Sequence, residues 1–262
     1  MYVLEVLGGG RMGEALLGGL LASGVVQPSD VVVVEVSADR RSQLTELFPG
    51  IAVEASPVAA TSVVVATKPA HVAAVVAQAA TLGAERVLSI AAGVGIATLE
   101  SAAGSGVAVI RAMPNTPALV GSGAAAMAGG TEADDAALDW AESILAAVGT
   151  VVRVPESSLD AVTGLSGSGP AYVFLVAEAL IDAGVLQGLD RATSDALVRQ
   201  TLLGAARLLA ESSEGPGALR AAVTSPAGTT AAGLHVLEQG ALRATISDAV
   251  AAATRRSREL GA

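Results

Sequence analysis

The sequence predicts an α/β domain with a doubly wound, mostly parallel sheet, followed by an all-α domain. Three observations lead to that prediction. Runs of β-branched residues alternate with Ala- and Leu-rich segments of helical character up to residue 154. A turn with three consecutive glycines follows the first of these runs. Beyond Pro155 no β-branched run of strand length occurs, so we place the two domains at 1–154 and 155–262.

The elements of the first domain follow in order from this alternation. A strand is predicted at each apolar run of about four to six residues, and the longer segments between the runs can form the crossover helices that parallel strands need. The predicted strands are Val3–Leu7, Val31–Val36, Val63–Thr67, Arg86–Ile90, Val107–Arg111, Ala124–Ala128 and Val151–Val154. The predicted helices are Glu14–Ser23, Arg40–Leu47, Ala70–Ala80, Ile96–Ala103 and Ala133–Ala147.

The second domain is predicted to contain helices alone. Aromatic residues make up only 2% of the chain, so Ala, Val and Leu must do the packing. Such helices would leave apolar faces in water unless they pair with another chain. We therefore expect a homodimer through this domain, and leave a higher oligomer open. The predicted helices are Ala171–Ala183, Arg191–Ala210, Gly217–Val223, Thr229–Gln239 and Leu242–Leu260.

Composition and charge exclude several classes of function. The 262 residues include no cysteine and only two histidines, so disulfides, thiolate nucleophiles and metal centres are not expected. The net charge is −10 and basic residues are scattered, unlike a nucleic-acid-binding surface. Polar residues, Pro or Gly interrupt the apolar runs, so no membrane-spanning helix is expected. The first apolar run contains Glu5 and follows no basic region, and we expect a cytoplasmic protein.

The glycine-rich turn at residues 8–13 fits a dinucleotide-binding fingerprint of the Rossmann type. Its first glycine permits a tight turn, its third lets a pyrophosphate approach the backbone, and its last lets the helix pack on the strand. The N–H groups at the start of that helix would face the phosphates. A glycine turn without a ligand is the alternative, and the strand–turn–helix context favours a cofactor. The residues expected to contact it are Gly8, Gly10, Arg11, Met12 and Gly13.

The choice of dinucleotide depends on residues that follow the second predicted strand. Glu35 occupies the position from which a carboxylate binds the ribose 2′-hydroxyl and repels a 2′-phosphate. Ser37 and Arg40 follow closely and offer a hydroxyl and a cation to that phosphate. Glu35 thus favours NADH, whereas Ser37 and Arg40 favour NADPH. Both dinucleotides remain candidates.

Two more turns end the third and fourth predicted strands. In a doubly wound sheet the ligand lies beyond the carboxyl ends of the strands, so both turns are expected to line the cofactor crevice. Lys68 is the only lysine of the chain, and its residue type would suit a Schiff base or a phosphate contact. The residues concerned are Thr67, Lys68, Pro69, Ala92 and Gly93.

The segment 224–230, T-S-P-A-G-T-T, runs directly into an apolar helical pattern. The first N–H groups of a helix have no intrahelical partner, and the helix dipole favours an anion there by about 0.3–2 kcal/mol. Such a turn is an ordinary helix cap in many proteins. Its hydroxyls and glycine also make it a candidate seat for a small carboxylate or phosphate.

Four segments together resemble the pyrroline-5-carboxylate reductase family. They are the turn 224–230, the helix segment Leu234–Glu238 after it, the segment Leu165–Tyr172, and the segment Arg111–Pro117, R-A-M-P-N-T-P. The resemblance covers nearly the whole chain. It implies reduction of the cyclic imine 1-pyrroline-5-carboxylate to proline by hydride transfer, with NADPH as the usual cofactor and NADH as a second candidate.

The resemblance also implies roles for individual residues. Met113, Asn115 and Thr116 would border the nicotinamide, and the segment 166–170 would form a loop beside it. Ser225, Gly228 and Thr229 would hold the substrate carboxylate. Thr230 would reach the carboxylate or the ring nitrogen, which makes it the candidate catalytic residue.

Two departures from the family pattern bear on activity. Ala227 replaces the first glycine of the family's Ser-Pro-Gly-Gly turn, where a positive φ would cost about 1 kcal/mol or more. Glu5 lies on a strand position that is usually small or apolar, so it needs a partner, a proton or solvent. A dinucleotide-binding scaffold without turnover and a reductase of another small cyclic imine remain alternatives. A β-hydroxyacid dehydrogenase would need a lysine in the helical half, which has none.

Overall fold

Eight strands form one sheet in the computed structural model, which describes residues 1–261. Across the described sheet the order is β3-β2-β1-β4-β5-β6-β7-β8, and all neighbours are parallel except β6 and β7. The strand order reverses at the first strand, which places a crevice at its carboxyl end. The strands are β1 (Tyr2–Leu7), β2 (Val31–Val34), β3 (Ala52–Glu54), β4 (Ala60–Val65), β5 (Arg86–Ser89), β6 (Ala108–Met113), β7 (Gly123–Gly129) and β8 (Gly149–Arg153).

Each strand expected from the sequence is present, and β3 is an addition. β3 has three residues, too few for an alternating pattern, and it is defined by its pairing with β2. β2 ends at Val34, two residues earlier than predicted. The chain turns there because Ser37 caps the next helix, its hydroxyl accepting a hydrogen bond from the Arg40 N–H.

Five helices of the first 168 residues cover both faces of this sheet. α1, α2 and α5 contribute to one core cluster with Leu4 and Val6 of β1, while α3 and α4 contribute to another with Leu7. Alternate residues of β1 thus face opposite layers, as a two-sided core requires. The predicted doubly wound α/β arrangement is confirmed. The helices are α1 (Arg11–Ala22), α2 (Ala38–Leu47), α3 (Pro69–Thr81), α4 (Ile96–Ala103) and α5 (Asp135–Ala146).

The remaining helices confirm the predicted all-α half. They are α6 (Leu159–Val162), α7 (Gly169–Leu186), α8 (Arg191–Glu211), α9 (Pro216–Ala222), α10 (Thr229–Gln239) and α11 (Leu242–Gly261). α7 and α8 approach each other closely at Gly184, where a Cβ would overlap the Ser194 hydroxyl. That hydroxyl donates a 2.8 Å hydrogen bond to the Ile181 carbonyl, which ties the two helices together.

The segment 166–170 is helical, so the loop expected there is wrong. Thr163–Gly167 form a π-helical turn between α6 and α7, in which the Ser168 N–H donates to the Thr163 carbonyl at 2.8 Å. The Ser- and Gly-rich composition indicates flexibility, but Pro170 is tolerated because it occupies the first turn of α7.

Contacts divide the chain into two compact units, Met1–Ser168 with Ala251–Ala262, and Gly169–Val250. This division differs from the sequence-based boundary at 154/155, which stays a prediction. Residues after 155 belong to the first unit because Leu159 is buried in a small core cluster there. The end of α11 returns to the same unit, where the Ser257 hydroxyl donates to the Asp160 carboxylate at 2.7 Å.

α7 exposes its apolar side chains. Phe174 and Leu175 are 64% and 65% exposed, and no residue of α7 is buried in the single chain. Among the described residues, the helical stretch 156–186 is long and apolar enough to cross a membrane by length and composition. The expectation that no stretch passes this test is wrong, because α7 alone is 18 residues long and has only two charged side chains, Glu178 and Asp182. A helix that exposes this many apolar side chains is typical of a surface that another chain covers.

Candidate functional site

The glycine turn connects β1 to α1 at the centre of the sheet. Gly8 has a φ of +108°, and a Cβ on it would lie 2.7 Å from the Ala66 carbonyl oxygen. A Cβ on Gly13 would overlap the Gly8 carbonyl oxygen, whereas a Cβ on Gly10 would meet nothing within 4 Å. The first and last glycines are therefore needed for the fold, and Gly10 leaves space for a ligand above the turn.

The same turn leaves backbone donors facing that space. The first helical hydrogen bond is donated by Glu14 to the Gly10 carbonyl, so the N–H groups before it have no intrahelical partner. Arg11 is exposed at the first position of α1, and Met12 packs partly against the core. The turn has the donors and the open surface that a pyrophosphate needs.

Glu35 lies between the glycine turn and the start of α2. Its Oε2 accepts a 3.2 Å hydrogen bond from the Gly9 N–H, and its Oε1 accepts one of 2.9 Å from the Ser37 N–H. A carboxylate oxygen can accept further bonds, so both oxygens can still receive hydroxyl groups of a ribose. Glu35 thus presents a fixed negative charge where the sequence predicts the adenosine ribose.

The two arginines after β2 are already paired. Arg40 donates from Nε to the Gly9 carbonyl at 2.7 Å and forms an ion pair with Glu14. Arg41 donates from Nη1 to the carbonyls of Glu35 and Val36, both at 2.9 Å. Arg40 therefore braces the glycine turn, and its charge is largely compensated by Glu14.

The turn after β4 contains a polar atom without a partner. Among the described residues, no group hydrogen-bonds the buried hydroxyl oxygen of Thr67. Such an atom costs free energy unless a ligand or water pairs with it. Thr67 lies beside the glycine turn, since a Cβ on Gly8 would be 3.1 Å from its backbone N. The orphaned hydroxyl fits a cofactor in this crevice, while Lys68 is exposed before α3 and Pro69 begins that helix.

The turn after β5 packs against the end of the chain. Ala92 and Gly93 follow the strand, and Gly93 has a φ of +76°. A Cβ on Gly93 would lie 3.3 Å from the Leu260 carbonyl oxygen, so the end of α11 closes one side of this turn. No sequence motif indicates this contact, because the two segments lie far apart along the chain.

The ion pair between Arg111 and Glu156 is a second contact that the sequence does not predict. Glu156 accepts a 3.0 Å hydrogen bond from Arg111 Nη1 and one of 2.7 Å from the Ile96 N–H. The carboxylate thereby caps α4, whose preceding residue Gly95 has no side chain to do so. Glu156 connects β6, α4 and the start of the helical stretch 156–186.

The end of β6 and the segment after it bring two predicted site residues, Met113 and Asn115, against the π-turn. The Asn115 Nδ2 donates to the Ser166 carbonyl at 3.0 Å, and its Oδ1 accepts from the Ala124 N–H at 2.8 Å. The Met113 side chain packs on Gly167, where a Cβ would be 2.8 Å from the Met113 Cε. Thr116 begins a 3-10 turn directly after Asn115. Both groups of the Asn115 side chain are thus bonded to the protein backbone.

The turn before α10 presents open donors in the second unit. Gly228 caps α10 without a side-chain bond, and Ala232 donates the first N–H bond to its carbonyl. Within residues 1–261, no backbone carbonyl pairs with the N–H groups of Thr229 and Thr230. A Cβ on Gly228 would overlap the exposed Ser225 hydroxyl, so glycine keeps that hydroxyl beside the open N–H groups. This is the donor geometry that a small carboxylate needs.

Both departures from the family pattern have structural consequences. Ala227 has a φ of +58°, as expected, in the left-handed region that favours glycine. Glu5 is fully buried, and its Oε1 accepts a 2.8 Å hydrogen bond from the Val58 N–H. Its Oε2 has no partner among the described residues. Burial raises the pKa of Glu5, and the bond from Val58 opposes that rise.

Comparison with known proteins gives a consistent result along the chain. A family model described as pyrroline-5-carboxylate reductase dimerisation matches residues 156–260. A second, described as NADP oxidoreductase, coenzyme F420-dependent, matches residues 3–93. The pyrroline-5-carboxylate reductase of Synechocystis sp. is 45% identical over 264 residues, covering 98% of each chain. That of Mycobacterium tuberculosis H37Rv is 44% identical over 287 residues, covering 99% of this chain and 97% of the relative.

Solved structures agree. A pyrroline-5-carboxylate reductase from Coxiella burnetii has a TM-score of 0.94 and 36% identity, covering 100% of this chain and 99% of the other. The Plasmodium falciparum pyrroline carboxylate reductase with NADP bound has a TM-score of 0.85 and 30% identity, covering 100% and 98%. The likeness therefore includes both the α/β half and the helical half.

Proposed function

This chain belongs to the pyrroline-5-carboxylate reductase family, and we propose that it reduces 1-pyrroline-5-carboxylate to L-proline, the last step of proline biosynthesis. The full-length match carries this proposal. The pyrroline-5-carboxylate reductases of Mycobacterium tuberculosis and Synechocystis sp. align over 99% and 98% of the chain, and this coverage includes both the glycine turn and the turn before α10.

We propose NADPH as the cofactor, with NADH as a second substrate of the same site. NADPH supplies the hydride, from nicotinamide C4 to the imine carbon C2 of 1-pyrroline-5-carboxylate, which becomes C5 of proline. The residues proposed to hold it are those of the glycine turn, Glu35, Ser37, Arg40, Thr67 and the turn after β5. The open surface above Gly10 and the unpaired Thr67 hydroxyl support this assignment. So do the NADP oxidoreductase match and the relative with NADP bound.

The turn before α10 is proposed to bind the substrate carboxylate. The N–H groups of Thr229 and Thr230 and the Ser225 hydroxyl would donate to it, supported by the dipole of α10. The Thr230 hydroxyl would orient the ring nitrogen. A protonated imine is already electrophilic, so the residues need to fix distance and angle rather than donate a proton. This fits a site that offers hydroxyls and backbone N–H groups.

We propose that two copies of the chain pair through their helical halves. The exposed face of α7 and the match of residues 156–260 to a dimerisation domain support this assembly. We also propose a cytoplasmic location, as expected from the first apolar run, which contains Glu5 and follows no basic region.

The proposal is tested by following NADPH absorbance with purified protein and 1-pyrroline-5-carboxylate. We expect consumption of NADPH that depends on the imine and yields proline. Retained NADPH binding without turnover would instead support a non-catalytic scaffold. Faster turnover of a cyclic imine without the 5-carboxylate would assign a different substrate and remove the role of the turn before α10.

A further inference from the structure

We infer that Asn115 is a positioning residue, which holds the π-turn Thr163–Gly167 against the end of β6 and so shapes the wall beside the nicotinamide. The inference rests on the proposed function, because that wall has a role only if the cofactor binds beside Met113. Asn115 is 9% exposed, and both polar groups of its side chain are bonded inside the protein.

The need for this contact arises from Pro170. In a continuous α-helix the Ser166 carbonyl accepts a hydrogen bond from the N–H four residues later. That residue is Pro170, which has no N–H, so the Ser166 carbonyl has no α-helical donor. The Asn115 amide supplies a donor at 3.0 Å. The Asn115 side chain thus replaces the hydrogen-bond donor that the Ser166 carbonyl lacks because residue 170 is proline.

The orientation of the Asn115 amide is determined by its two partners. Its oxygen accepts from the Ala124 N–H on β7, and its nitrogen donates to a carbonyl. The reversed orientation would oppose donor to donor and acceptor to acceptor. The side chain therefore links β7 rigidly to the π-turn.

The π-turn in turn supports Met113. Gly167 lies so close to the Met113 Cε that a Cβ there would be 2.8 Å away. A π-turn is a local insertion in a helix, and such turns occur frequently at functional sites. If Ser166 lost its donor from Asn115, the turn could relax and shift Gly167. A displacement of about 1 Å beside the reacting atoms can lower a rate by about 100-fold.

Asn115→Asp tests the inference, because aspartate keeps the acceptor for Ala124 and removes the donor for Ser166. We expect kcat to fall by about tenfold or more while the Kd for NADPH, from quenching of intrinsic fluorescence, changes less than about threefold. Asp134→Ala is the matched control. It removes the carboxylate that caps α5 through the Ala137 N–H and lowers stability away from the site.

Pro170→Ala provides a second test, since it returns an N–H to position 170. In the Asn115→Asp background it should restore the melting temperature, because Ser166 regains a helical donor. It should leave kcat low, because the turn then relaxes to α-helix. If Asn115→Asp keeps kcat within about twofold of wild type, or if Pro170→Ala restores kcat and melting temperature together, the positioning role is wrong.

Failure of the proposed function would be visible separately. A wild-type protein that does not reduce 1-pyrroline-5-carboxylate refutes the proposed function and with it the catalytic consequence inferred here. The melting temperatures of the two single variants and the double variant still test whether Asn115 and Pro170 are energetically coupled. Additive changes in melting temperature would refute the hydrogen-bond argument itself.

Discussion

Glu35 accepts a hydrogen bond from the backbone N–H of Gly9, which fixes its carboxylate against the glycine turn. The Ser37 N–H holds the other oxygen, so the charge cannot rotate away from the proposed ribose site. Arg40, which binds the Gly9 carbonyl in the same turn, is paired with Glu14. This charge therefore opposes a 2′-phosphate. The preference for NADPH that we propose from the comparisons must come from other contacts, for which the Ser37 hydroxyl is one candidate.

We predict that Glu35→Gln increases selectivity for NADPH. The substitution removes a negative charge from the proposed site of the 2′-phosphate. Two unit charges about 4 Å apart interact by about 1 kcal/mol in water and more near a protein surface, so the ratio of kcat/KM for NADPH to that for NADH should rise about tenfold. Glu54→Gln, at the exposed end of β3, is the control. An unchanged ratio in Glu35→Gln would show that Glu35 does not face the ribose.

Gly10 and Gly13 should respond differently to alanine. Gly10→Ala adds a methyl group in open space, so we expect an unchanged melting temperature and a weaker Kd for NADPH. Gly13→Ala would overlap the Gly8 carbonyl, and we expect a loss of about 1–3 kcal/mol in the free energy of unfolding. Thermal unfolding and fluorescence titration of both variants check this contrast. Equal loss of stability in both would contradict the open surface above Gly10.

Ala227→Gly should stabilise the chain. Its φ of +58° costs an L-residue about 1–2 kcal/mol, from which the greater entropy of an unfolded glycine subtracts about 0.4–1 kcal/mol. Ala241 has a φ of +55° outside the proposed site, which makes Ala241→Gly the matched control. Both variants should melt at higher temperature, and only Ala227→Gly should change KM for the imine. If both variants changed the KM for the imine, the change could not be assigned to the turn 224–230, and the proposed substrate contact at Ala227 would be wrong.

Thr230→Ala should lower kcat/KM for the imine by about tenfold or more, because a hydrogen bond to a charged group contributes about 1.5–3 kcal/mol. The Kd for NADPH should stay nearly constant, since Thr230 is assigned to the substrate. Steady-state kinetics and a separate NADPH titration give the two values. Loss of NADPH binding would refute the assignment.

Glu5 should make stability depend on pH. Its pKa is raised in the folded protein, so its protonated form contributes stability that is fully present below the pKa of the unfolded chain. That contribution is lost as the pH rises through the folded-state pKa. Glu5→Gln should therefore melt at a higher temperature than wild type, by a margin that widens as the pH rises above the ordinary pKa of a glutamate. A constant margin would mean that Glu5 ionises in the folded chain as in the unfolded one.

The sequence predicts those parts of the fold and of the site that depend on residues close together along the chain. The Gly8 to Gly13 turn is predictable because each glycine answers a steric demand within one strand–turn–helix unit. The positive φ of Ala227 follows from one turn in the same way. The β3 strand has no such signal, since its three residues are defined only by pairing with β2.

Long-range contacts account for what could not be predicted. Asn115 and Ser166 meet across the end of β6, and Glu156 reaches Ile96 and Arg111 from a different segment. No periodicity links such residues, because the contacts exist only once the sheet has formed. For the contact between Asn115 and Ser166, the sequence offers one indication. Pro170 leaves the Ser166 carbonyl without an α-helical donor, so that carbonyl needs a partner from elsewhere.

Transfer of a deuteride tests the central claim most directly. NADPH deuterated at the transferable position of nicotinamide C4 is incubated with the protein and 1-pyrroline-5-carboxylate, and the product is analysed by mass spectrometry and NMR. We predict L-proline that carries a single deuterium at C5. Consumption of NADPH without labelled proline, or proline without deuterium at C5, would contradict the account.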